Sequence, residues 1–137
     1  QYIYRNQPGV DNVWLTSDDV IAQWGKYDRD ESGLMTELTY YKAMGGDNMW
    51  FTADDVVNYL YKYTYTNKQQ TEQLSSSDPG ADPVWDTADD TLSGVYTMDH
   101  ETNGNTISNR GYDRGPDGKY KTADDKVSYQ SEYDLVH

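Results

Sequence analysis

The 137-residue chain has no cysteine, so neither disulfides nor thiolate-bound metals hold it together. It has one Phe, and Ile and Leu are few; a core built from so little aliphatic material is marginal at this size. Basic residues are scarce too: 11 Lys+Arg against 24 Asp+Glu leave a formal charge of −13. Binding nucleic acid or an anionic membrane surface needs a positive patch, so both are set aside as partners and cations are favoured. No window holds the apolar run that a helix needs to cross a bilayer, so membrane insertion is not expected. No basic-then-apolar signal segment is recognisable at the start, and Gln1 would suit the first residue left by signal removal. Helical periodicity with caps is missing throughout.

What the chain does have is 14 Tyr, 4 Trp and a loop motif stated four times. The versions are GVDNVWLTSDD from Gly9 to Asp19, GGDNMWFTADD from Gly45 to Asp55, GADPVWDTADD from Gly80 to Asp90 and GPDGKYKTADD from Gly115 to Asp125. Thr16, Thr52, Thr87 and Thr122 are spaced by 36, 35 and 35 residues. A fixed period of this length marks an array in which each unit is one supersecondary element.

After each Asp-Asp comes a run rich in β-branched and aromatic residues: 20–28, 56–64, 91–99 and 126–134. In the second, Val57, Tyr59, Tyr61, Tyr63 and Tyr65 alternate as one face. Turns follow at 29–33, 67–70 and 101–105, where Asn103-Gly104 is the strongest hairpin signal. Returning strands follow at 34–42, 71–77 and 106–112. The spacing predicts an all-β fold: an antiparallel hairpin repeat array of about eight strands in one domain, with units near 1–42, 43–77, 78–114 and 115–137. The fourth unit stops at Tyr133–His137 where its hairpin should turn, and Gln1–Asn6 reads as the missing return strand. These half-units can pair within one molecule, closing a barrel or ring, or between molecules as an end-strand-exchanged filament; a fragment of a longer array is the third possibility.

The loops carry the chemistry. Ca²⁺ takes six to eight oxygens from carboxylates, carbonyls and water. Asp11 lies seven and eight residues before Asp18 and Asp19, with Thr16 between, and the Gly and Asn around Asp11 let both ends of the loop converge. Carbonyls near Val13 and Leu15 could complete the set, with Trp14 as a plug packed on the sheet. The equivalent sets are Asp47, Thr52, Asp54, Asp55; Asp82, Thr87, Asp89, Asp90; and Asp117, Thr122, Asp124, Asp125. About 6 Å apart at an effective dielectric near 20, each carboxylate pair costs a few kcal/mol before screening. Four Ca²⁺ would relieve that repulsion, adding +8 to the −13. The competing explanation is structural: Asp, Asn and Gly are ordinary turn formers, and such an Asp can accept backbone N–H groups. The spacing is not that of an EF-hand. Mg²⁺ prefers water-rich octahedral sites, and zinc would find only His100 and His137, far apart.

KYDRDESG (Lys26–Gly33) and MDHETNGN (Met98–Asn105) resemble the YD hairpin repeats of large bacterial secreted proteins, and Gly115–Asp125 is similar to the GPDG-x-x-x-T-A-D-D calcium-loop segments of such proteins. The resemblance implies a secreted or cell-surface β-repeat module and no enzymatic activity. From the residues themselves, no nucleophile–base pair stands out, and Glu31, Glu37, Glu72, Glu101 and Glu132 read as solvated faces. The function expected is an extracellular, calcium-stabilised structural or adhesive module, a candidate subunit of a surface fibre that contacts its own copies through terminal strands. The alternative is a calcium-dependent carbohydrate-binding module, in which tyrosines on a sheet face stack on surface glycans.

Overall fold

The computed structural model describes residues 2–133. It contains eight strands: β1 Tyr2–Gln7, β2 Val20–Arg29, β3 Met35–Ala43, β4 Val56–Thr66, β5 Gln69–Asp78, β6 Thr91–His100, β7 Thr106–Asp113 and β8 Lys126–Glu132. All are antiparallel and lie in one sheet in chain order, so each strand pairs with its neighbours in sequence. The expected all-β hairpin array is present. The last strand was expected to run to Asp134; that residue and His137 lie outside the described residues.

Two kinds of connection alternate. Short turns close β2–β3, β4–β5 and β6–β7. In the first, Asp30 accepts the amides of Ser32 and Leu34, and Gly33 takes φ 82°. In the third, Asn103 accepts the Asn105 amide and Gly104 takes φ 98°. The middle turn has no glycine: Asn67 and Lys68 both adopt left-handed angles, φ 53° and 66°, as a two-residue primed hairpin turn requires. The other connections are the Asp loops, 8–19, 44–55, 79–90 and 114–125.

β-Bulges accompany the Asp loops. Tyr40 pairs with Tyr59, but Tyr41 pairs with Val57, so Asn58 is the extra residue. This corrects the expected five-residue face. Tyr59 and Tyr61 share one face, while Val57 is carried to the other, beside Tyr41 and Trp24. Alternation assumes an unbroken pleat, and the bulge breaks it.

The sheet is not closed into a barrel, and β1 and β8 lie at opposite edges among the described residues, so the structure does not bear out intramolecular closure, one of the expected arrangements. A closed eight-stranded barrel must fill its interior with side chains. Here one face carries the Asp loops and charged rows such as Asp28–Glu37–Lys62. The core is correspondingly small: among the described residues, Trp24, Leu38, Leu60 and Val95 are the buried hydrophobic ones. Trp24 stacks on Tyr41 with centroids 4.2 Å apart and planes 7° from parallel.

Each later Asp loop folds back over the hairpin before it. Phe51 meets the Trp24 ring edge-on at 5.2 Å. Asp86 forms an ion pair with Lys62 of β4. The Tyr120 hydroxyl donates to the Ser93 carbonyl of β6 at 3.2 Å, and Lys121 reaches one hairpin further back, to Glu72 of β5 at 2.9 Å.

Candidate metal centres in the four Asp loops

The loops share one geometry. In 8–19, Asp18 Oδ2 accepts the amides of Val10 and Asp11 at 2.7 and 3.2 Å, tying the end of the loop to its beginning. Asp19 Oδ2 accepts the Leu15 amide at 2.7 Å and pairs with Arg5 of β1 at 3.3 Å. Asp11 Oδ1 accepts the Val13 amide. The crossing of the two ends explains the leading glycine. A Cβ on Gly9 would lie 2.4 Å from the Asp18 carbonyl oxygen, and on Gly45 it would lie 2.2 Å from that of Asp54.

The remaining oxygens converge on the threonine. The Thr16 hydroxyl lies 2.7 Å from Asp18 Oδ1, 3.0 Å from Val13 O, 3.3 Å from Asp19 Oδ1 and 3.5 Å from Asp11 Oδ1. Thr52 repeats this with Asp54, Met49 O, Asp55 and Asp47 at 2.8, 3.2, 3.3 and 3.5 Å. Thr122 repeats it with Asp124, Asp125, Asp117 and Lys119 O at 2.8, 3.1, 3.4 and 3.4 Å. Thr87 meets Asp89, Asp90 and Val84 O at 2.6, 3.1 and 3.3 Å. Asp82 accepts the Val84 amide at 2.7 Å, as Asp11, Asp47 and Asp117 accept the matching amides, but it has no hydrogen bond from Thr87. Pro83 replaces the left-handed Asn12 and Asn48 there, and its ring forbids their positive φ.

The two neighbouring aspartates divide the labour. Asp18, Asp54, Asp89 and Asp124 have carboxyls held below the ordinary value, first by the threonine hydroxyl and then by backbone amides. The second of each pair turns inward, and Asp19 and Asp55 are only 7% and 5% exposed. Asp55 Oδ2 accepts both the Phe51 amide at 2.8 Å and the Trp24 indole N–H at 2.7 Å, so it joins one unit to the previous one. The sequence reading missed that cross-unit bond; Trp24 carries no mark of its distant partner.

All the expected site residues are thus gathered loop by loop, with Asp82 the one set back from its threonine. As they stand they form hydrogen-bonded clips. Among the described residues, no three acidic or histidine side chains are arranged to hold a metal ion. The threonine hydroxyl occupies the point on which the carboxylates converge, and it brings a single proton to as many as four acceptor oxygens. The donor set is nonetheless what a hard cation takes: carboxylate, carbonyl and hydroxyl oxygens, with the carboxylates already oriented by amides.

Trp14 does not act as the expected plug. It is 53% exposed, whereas Trp50, Trp85 and Tyr120 are half-buried. Those three belong to loops that fold over a preceding hairpin, whereas among the described residues the first loop follows a single strand, β1. No protein-family model, curated protein or solved structure matches the chain.

Proposed function

We propose that the chain is a calcium-stabilised β-repeat module with structural or adhesive work outside the cell, each Asp loop taking one Ca²⁺. Asp11, Thr16, Asp18, Asp19 and the Val13 carbonyl would hold the ion in the first loop, with the corresponding groups in the others. The observation that carries this reading is the shortage of protons. Three like-charged carboxylates, a carbonyl and a hydroxyl crowd together in a chain of charge −13, and where they meet at Thr16 only its hydroxyl proton and the Val13 amide on Asp11 serve them. A bound dication supplies the missing positive charge. The ion's role would be mechanical, because the loops fasten each hairpin to the one before and the hydrophobic core between them is small. Edge strands β1 and β8, lying at the two ends of the sheet, are the surfaces through which modules would join into a fibre.

The test is thermal unfolding followed by near-UV circular dichroism in millimolar Ca²⁺ and again in EGTA, with calorimetric titration of the metal-free chain. Each independent site contributes about 2.7 kcal/mol when free metal is 100-fold above Kd. Four sites would therefore move the midpoint by tens of degrees. Coincident curves, with no heat of binding, would leave the loops as hydrogen-bonded turns and end the calcium reading.

A further inference from the structure

The two faces of the sheet are chemically unlike. Following directly opposed residues from strand to strand, the loop-bearing face runs through Asp28–Glu37–Lys62–Leu74–Val95 and Glu72–Thr97–Arg110–Gln130. Charges are frequent there and the Asp loops cover it. The opposite face runs through Tyr2–Gly25–Tyr40–Tyr59, then Tyr27–Leu38–Tyr61–Ser75–Gly94, then Tyr63–Gln73–Tyr96–Gly111–Tyr129. These rows contain no charged residue, in a chain of charge −13. Their tyrosines shield one another and the small residues between them, so that Leu38 and Ser75 are only 7% and 8% exposed, but no other element described lies over them, and Tyr59, Tyr96 and Tyr129 are 41%, 45% and 54% exposed.

The surface area gives this face a size. A typical folded monomer of 15.7 kDa exposes about 7,300 Å², but this chain exposes 8971 Å². Part of that excess belongs to the looped face and the edges, and part to the bare tyrosine rows. Eight strands about 4.8 Å apart, paired over some eight residues each, span about 1,000 Å² per face. Two such faces pressed together would bury about 2,000 Å², the area of a stable homodimer.

We propose that the tyrosine face is the contact surface of a two-fold dimer, in which two copies pack sheet on sheet as a β-sandwich. The occupant is a second copy because that pairing gives the sheet its missing layer. It is also the approach that keeps the acidic loops of both copies on the outside, where their repulsion is weakest. A dimer of this kind is isologous and closed. It is therefore distinct from open-ended growth through β1 and β8, and it does not depend on calcium.

Light scattering on the full chain after size exclusion, at micromolar concentration and in EGTA, reads the outcome. A particle of twice the chain mass is expected, and Tyr59→Lys with Tyr96→Lys should weaken it about 100-fold or more while leaving far-UV dichroism unchanged. Trp14→Lys, equally exposed but in the first Asp loop, should leave the dimer intact. A monomeric wild type overturns the proposal, as does a dimer that survives the double substitution. So would an open-ended series of species indifferent to those lysines, which is end-strand assembly alone. A monomer that retards on a soluble neutral β-glucan, and loses that retardation in the double variant, would reassign the face to carbohydrate.

Discussion

Asp55→Ala tests whether the loops fasten one unit to the next. Asp55 is 5% exposed and satisfies two donors through one oxygen, the Trp24 indole at 2.7 Å and the Phe51 amide at 2.8 Å. Trp24 is itself 7% exposed, so its N–H has little access to water once the carboxylate is gone. A buried donor left without a partner costs about 1–3 kcal/mol, and the loop amide, closer to solvent, adds less. The expected loss is about 3 kcal/mol, a fall in melting midpoint of about 10 °C for a domain of this size. The comparison is Asp54→Ala, its exposed neighbour, which should cost clearly less. Trp24→Phe keeps an aromatic ring against Tyr41 and Phe51 but removes the N–H. In that background Asp55→Ala should cost at least about 1 kcal/mol less than in the parent, the signature of a direct pair in a double-mutant cycle. Urea and thermal unfolding in EGTA keep metal binding out of the comparison. Equal costs for Asp54→Ala and Asp55→Ala, together with additivity in the cycle, would refute the cross-unit clip.

Gly45→Ala should cost about 2 kcal/mol or more in urea unfolding, because its Cβ would overlap the Asp54 carbonyl oxygen. Gly33→Ala, at φ 82° with open space around it, should cost only about 1 kcal/mol; the reverse order would mean that the loop ends do not cross as described. Asp18, Asp54, Asp89 and Asp124 have folded-state pKa values lowered from 3.8, so the stability they contribute is complete above that value and is lost as pH falls below it. Unfolding free energy measured from pH 5 downwards should therefore drop below about pH 4, and a flat profile would contradict the loop hydrogen bonds. At the other extreme, burial and the neighbouring phenols push Tyr63 from 10 to about 12. Its contribution is full below pH 10 and disappears as pH rises towards 12, so tyrosinate absorbance and unfolding should advance together in that window.

How far the sequence discloses this architecture depends on the range of the interaction. Strand boundaries follow from local signals. β2, β4 and β6 begin just after each Asp-Asp, at Val20, Val56 and Thr91, because the inward aspartate ends the loop by accepting amides only a few residues back. The loop clips are legible for the same reason, since Thr16 and its carboxylates lie within eight residues of one another. Face assignment fails where pattern alone must decide it. Val57 looks continuous with Tyr59, and only the pairing of Tyr41 shows the bulge that separates them. Closure is decided by the whole sheet rather than by any segment, and complementary end strands do not determine whether eight twisted strands curl far enough to meet. The contacts of Trp24 with Asp55 and of Glu72 with Lys121 cross 31 and 49 residues, and no local pattern marks them.

These long contacts also account for one of the variable positions in the loop. The residue before each threonine, Leu15, Phe51, Asp86 or Lys121, takes a left-handed backbone angle of 69°, 71°, 70° or 63°. For bulky side chains that conformation costs about 1 kcal/mol, and glycine would relieve it. Yet no glycine is used. In the last three loops the side chain held there reaches an earlier hairpin: Phe51 by its ring on Trp24 and Asp86 by charge on Lys62, each in the hairpin just before, and Lys121 by charge on Glu72, one hairpin further back. The left-handed turn points the side chain across the unit boundary, so the strain is offset by a contact between units rather than within one. Three chemistries at one backbone position mean that the repeat determines where the contact is made and leaves free which partner is accepted. Neighbouring units can thus keep their order along the array although their loops share one backbone geometry. Leu15 has the same backbone and is 83% exposed, an apolar side chain in the position that elsewhere meets another hairpin.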